Sequence, residues 1–304
     1  MRRFTVAYFA AIFAWTASGW AEDSGKLIAE RVQKLRADTV WTAVREIPLK
    51  FNAHHPQGMA IVDGEFWVSS VEVINRAKGE GHAHLYRIDR EGVRLDERSF
   101  RGDLRYHPGG IDFDGTHLWM PVAEYRPEST SEIWRIDPKT FQPVLVHYPK
   151  PLGDHLGALV YNPESHLLMG ASWGSRCFHQ WSTRDNGTGA LIIEARGPRK
   201  ENSSHFIDLQ DGQWLPGTSL MLCGGLQNYR GPKGNFALGG LELIDMETLI
   251  PVHQVPVLVW EPGGRPMTQN AFAAEMTEMR LRFYFLPGDG EATIYVYEPA
   301  LAEK

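Results

Sequence analysis

Three histidines, His55, His107 and His155, stand at the same point of a recurring segment. Neutral imidazole is the commonest nitrogen ligand for divalent metals, and several converging on one point can hold zinc, manganese or iron with a coordination position left open; calcium is a further candidate ion for the site as a whole. Such a metal would activate water or polarise a carbonyl or carboxylate. His205 and Gln269 open the fourth and fifth copies and complete the expected ligand set. Glu72 and Glu124 occupy equivalent places in the first two copies and would carry the protons. Without a metal, one histidine would serve as general base with Glu72 or Glu124 orienting it. Gln57, Trp173, Arg176, Gln227, Arg230 and Asn270 fall near the same point and would bind substrate, the arginines by holding an anionic group. His54 has no counterpart in the other copies and is read as outside the site. His82 and His84 are read as surface or packing residues.

The repeat defines the elements that must bring these residues together. "HPQGMAIVDGEFWVSSVEV" returns as "HPGGIDFDGTHLWMPVAEY" and more loosely as "HLGALVYNPESHLLMGASW", with third strands at "HLYRIDRE", "EIWRIDPKT" and "GLELIDMET". Four short strands every ~50 residues are the signature of a β-propeller. Five openings imply five blades, the fourth beginning at "SSHFIDLQDGQWL" with its turn at Asp211-Gly212. The last copy carries three strands, and "TVWTAVREIPLKF" (39–51) supplies the fourth, closing the ring and removing exposed sheet edges. The expected fold is therefore an all-β, five-bladed β-propeller over 39–304, closed by an N-terminal strand. Every blade places its opening and its second-to-third link on one face, so the candidate residues ring one channel mouth. Trp and Tyr within the strands belong to the core between blades.

Ahead of the propeller, residues 22–38 hold a short amphipathic helix with Leu27, Ile28, Val32 and Leu35 on one face. Residues 1–21 form a signal peptide: Arg2-Arg3, an apolar run, then small residues Gly19 and Ala21 before the cleavage point. The expected location is periplasmic or secreted, with no stable membrane insertion after cleavage. Cys177 and Cys223 could pair in such a compartment, and their spacing fits no metal motif. The net charge is −6 with no stripe of Lys or Arg, which argues against nucleic acid. A monomer acting on a small molecule or saccharide is expected.

At its "HPQG" and "HPGG" openings the chain resembles an uncharacterised family of secreted β-propellers. "PQGMAIVDGEFWVSS" is also similar to the first blade of the secreted glutaminyl cyclases, which are five-bladed propellers. Their catalytic glutamate would fall at or next to Val68, and the later Gly-Leu-Thr and Asn-Glu-Leu-Glu signatures are missing, so that resemblance implies architecture without activity. The site resembles in kind that of propeller polysaccharide lyases, which hold manganese with several His and a Gln, as His55, His107, His155 and Gln269 would. The leading expectation is a metal-dependent hydrolase or lyase acting on a small anionic or carbohydrate-like substrate. The alternatives are a non-catalytic ligand-binding module, with a structural metal or none, and a protein-interaction platform whose mouth is filled.

Overall fold

Short apolar runs broken by turn residues become hairpins wherever the turn chemistry allows. In the first repeat, Val62 pairs with Glu65 across Asp63-Gly64, whose φ angles of 50° and 82° are the left-handed pair that a two-residue type I′ turn requires. The computed structural model describes residues 24–100, 104–146, 152–185, 191–232 and 234–301. The segment read as a signal peptide, 1–21, lies outside them.

Five antiparallel sheets result. The first runs outward from His55–Val62 through Glu65–Asn75 and Glu80–Ile88 to Arg94–Phe100. The second begins with Arg105–Pro108 and Asp112–Phe113, then adds Leu118–Glu124, Ser131–Asp137 and Gln142–Leu145. Leu156–Asn162 and Asp208–Trp214 are the inner strands of the third and fourth. The fifth runs Ala271–Thr277, Arg280–Leu286, Thr293–Pro299, and its outer strand is Trp41–Pro48, with Trp41 opposite Pro299 and Pro48 opposite Thr293.

Apolar side chains collect between blades. Trp67 packs with Ile111 and Leu118 between the first two, and Trp119 with Leu156 and Trp181 between the second and third. The helix, 24–32, lays Ile28, Ala29 and Val32, with Leu35 just beyond, onto the fourth and fifth blades beside Leu241 and Phe283. Its first residues cover the mouth opposite the histidines, where Ser24, Gly25 and Ile28 line a cavity of about 240 Å³ with Met59, Asp112 and Trp214. No helix among the described residues is long and apolar enough to cross a membrane. Cys177 and Cys223 are both free thiols.

The channel axis is held by two buried carboxylates. Asp211 accepts backbone N–H bonds from Met59 (2.7 Å) and Phe272 (3.1 Å) on one oxygen, and from Ile111 and Gly212 (3.0 Å each) on the other. Asp112 accepts from Tyr161 (2.9 Å), Trp214 (3.1 Å) and Phe113 (2.9 Å). Between them they tie all five inner strands together. Burial pushes Asp112 up to about 7 and Asp211 well above the carboxylate range, against the opposing pull of these N–H donors. The strands approach so closely that a Cβ on Gly58 would lie 2.6 Å from Gly110 Cα, which explains the glycines of "HPQG" and "HPGG". Asp211-Gly212 is therefore not the fourth blade's turn. It lies within the strand Asp208–Trp214, and the chain turns instead around Pro216-Gly217.

Candidate functional site

The inner-strand openings meet in a cavity of about 150 Å³ lined by His55, Gln57, His107, Tyr125, His155, Trp173 and Gln210. Each histidine is fixed differently. His155 is buried, and its Nδ1–H donates to the carbonyls of Glu124 (2.8 Å) and Arg126 (3.1 Å). Carbonyls only accept, so the proton sits on Nδ1 and Nε2 keeps its lone pair. Burial, partly opposed by those carbonyls, lowers its pKa to about 4. His107 lies against Tyr125, with ring centroids 4.1 Å apart, and beside His155 at 5.1 Å. Its buried Nδ1 has no hydrogen-bond partner, and burial followed by the neighbouring His155, His55 and Arg76 holds it well below the usual range. Both rings are thus neutral. His55 is half-exposed and its Nδ1 is 2.6 Å from Asp289 Oδ1. Burial pushes the Asp289 carboxyl up, but the His55 hydrogen bond and the charges of His55 and Arg265 outweigh it, so its pKa is lowered.

Glu124 does not reach for protons. It accepts from Arg126 Nε (2.8 Å) and from the Thr130 backbone (3.1 Å) and hydroxyl (2.9 Å), and the Arg126 hydrogen bond leads the causes that lower its pKa. Its effect is to shape the loop whose carbonyls hold His155. Arg176 is bound to Asp208, to exposed His205 and to the Gly174 carbonyl, so its charge is already matched by a carboxylate. With the fourth turn moved, Asp208 rather than His205 opens that blade's inner strand. Asn270 is buried and donates to the Pro287 carbonyl (3.0 Å), while Gln269 sits in a short 3-10 turn. Gln227 and Arg230 lie on the long hairpin of the fourth blade, Arg230 exposed opposite Asn235. None of these lines the cavity. Gln57, Trp173 and the first three histidines do, joined by Tyr125 and Gln210, with Asp289 behind His55.

His55, His107 and His155 share the cavity without offering a metal one meeting point. Among the described residues, the His/Cys/Asp/Glu triple whose ligand atoms all lie within 4.8 Å of one another is His54, Glu72 and His84. Glu72, expected at the mouth, is thus engaged within its own blade. His54 adopts a left-handed φ of 56° and stacks on buried His84, with centroids 4.9 Å apart and planes 11° apart. The repeat could not reveal this group, because its members come from a single blade.

The burial of His155 has a pH consequence. The folded protein takes up this proton only near pH 4, whereas the unfolded chain does so near 6.5. Between those values the unfolded state holds more protons, so stability falls as pH drops through the window. A His155→Gln variant does not titrate there. The unfolding free energy of the native protein minus that of the variant should fall by about 3 kcal/mol from pH 6.5 to 4. Urea unfolding of both proteins across that range measures it, and a flat difference would show that the folded state accommodates the proton.

The model of a family of unknown function (DUF6454) matches residues 20–303. No curated protein matches the chain. Similar solved structures include the tail fiber of Staphylococcus aureus phage P68, at 9% identity and a TM-score of 0.49, with 90% of this chain and 55% of that one covered. This chain therefore spans little more than half the length of that fibre protein. A hypothetical protein from Leishmania major shares 10% identity at a TM-score of 0.47, with 86% and 91% covered. A luciferin-regenerating enzyme shares 9% at 0.44, with 81% and 76% covered.

Proposed function

We propose that this chain, which belongs to the DUF6454 family of unknown function, is an acid–base hydrolase or lyase acting on a small, neutral, hydroxyl-rich molecule at the histidine-lined mouth. One observation carries the reading: the hydrogen-bonded His55–Asp289 pair stands in the wall of a cavity that two further imidazoles line. A carboxylate accepting from Nδ1 leaves Nε2 of a neutral His55 free to take a proton, which is the geometry of an oriented general base. Asp289 thus holds the place that Glu72 or Glu124 was expected to hold. The neutral His155 offers a lone pair to a substrate hydroxyl, and Gln57 and Gln210 add donors and acceptors. Tyr125 and Trp173 supply the flat apolar faces on which a sugar ring rests. A neutral substrate suits the site better than an anionic one, since Arg176 is paired with Asp208 and Arg126 with Glu124. The reading of residues 1–21 as a signal peptide supports a substrate met outside the cytoplasm.

A second reading, a non-catalytic binding pocket, is favoured by the burial and neutrality of His107 and His155, which hydrogen bonding alone would use. Both are tested by incubating the protein, with chelator present, against sugar lactones, aryl glycosides and esterified uronate oligosaccharides. Turnover of one class is expected. A rise in melting temperature without turnover selects the binding pocket, and neither effect in any class overturns both.

A further inference from the structure

The first blade carries a second group of chemistry-bearing side chains that the proposed acid–base site does not use. Glu72 lies near the end of the strand Glu65–Asn75, opposite His82; His82 and His84 lie on the next strand, and His54 reaches across from the residue before the inner strand. The consecutive histidines part here: His55 turns to Asp289 and the cavity, and His54 to His84.

His84 Nδ1 lies 2.9 Å from both Glu97 Oε1 and Ser99 Oγ; the carboxylate only accepts, and the Ser99 hydroxyl has its own acceptor in Glu97 Oε1 at 3.3 Å, so Nδ1 carries the proton. In neutral His84 the lone pair is then on Nε2, and Nε2 is 3.4 Å from Glu72 Oε2. That oxygen already accepts from His82 Nδ1 at 2.8 Å. A nitrogen lone pair facing a carboxylate oxygen is two acceptors with nothing between them. A cation between them satisfies both, and His54 brings a third ligand atom within 4.8 Å. Behind the group stands Glu97, which fixes the His84 tautomer as outer carboxylates do for metal-bound imidazoles.

We propose that His54, Glu72 and His84 form a divalent-metal site, with Glu97 orienting His84. Two imidazoles and one carboxylate are ligands of the zinc and manganese type, and zinc is favoured by the nitrogen share. His54 and Glu72 are only partly buried, which leaves room for water or a further ligand on the metal.

Tag-free protein stripped with chelator and titrated with zinc should bind one equivalent by calorimetry. Cobalt(II) should give visible d–d bands of a nitrogen- and oxygen-bound ion. His54→Ala and Glu72→Gln, both at partly exposed positions, should weaken zinc more than the outer-carboxylate variant Glu97→Gln, expected to cost about 10- to 100-fold. His205→Ala, at an exposed histidine elsewhere, serves as the control and should bind as the native protein does. Absence of saturable binding by folded protein, or equal binding by native protein, His54→Ala and Glu72→Gln, overturns the assignment. The readout is binding rather than turnover, so it stands or falls apart from the acid–base reading.

Discussion

Asp211→Asn is expected to lower the unfolding free energy by about 4 kcal/mol and the melting temperature by roughly 8–16 °C. The carboxylate accepts four backbone N–H groups, two on each oxygen, and these come from the inner strands of four blades. An amide keeps one oxygen and turns an NH₂ toward two of those donors. Each buried donor left without an acceptor costs about 1–3 kcal/mol. The isosteric change isolates this loss from any change in packing. Differential scanning calorimetry at pH 8 measures it. A variant within 1 kcal/mol of the native protein, a threshold on the order of one ordinary net hydrogen bond, would show that the axis is not held in this way.

The second large effect is on activity. On the acid–base reading, His55→Gln should lower kcat/KM by about 10²–10⁴-fold, the usual contribution of a positioned general base. Asp289→Asn should lower it by less and distort the pH profile, since it removes the acceptor that sets the His55 tautomer. Neither residue is in the packed core, so melting temperatures should barely move. Steady-state kinetics on the substrate class identified by turnover decide the matter. Activity kept within about threefold in His55→Gln would remove it from the chemistry and leave the pocket as a binding site, because a lost base costs far more than that.

The sequence made the architecture legible because a propeller repeats its turns. Asp63-Gly64 marks one hairpin, its echoes mark others, and the spacing of His55, His107 and His155 sets the shared mouth. Sequence pattern misplaces the first turn of the fourth blade, because Asp-Gly reads as a turn wherever it stands. Here Asp211 is an axial carboxylate and the turn falls at Pro216-Gly217. That error of register hid Asp208, and with it the partner that occupies Arg176. Asp289 is legible on the same ground as Glu72 and Glu124, since it lies in the fifth blade's second-to-third link. His54 was not. A search for repeats ranks a residue by its counterparts, and a site made within one blade has none.

The pairing of Trp41–Pro48 with Thr293–Pro299 also governs how the molecule is made. The fifth sheet joins Trp41–Pro48 to strands about 250 residues further along, so it cannot be completed until Thr293–Pro299 has been made. Four blades can condense beforehand by local hairpin formation, while the last contact closes the longest loop in the fold and comes late and slowly. Until then the outer edge of Thr293–Pro299 stands unpaired, the kind of edge that invites association with another chain. Docking of Trp41–Pro48 is therefore expected to be the last step of folding, and a neighbour's strand arriving first its chief hazard.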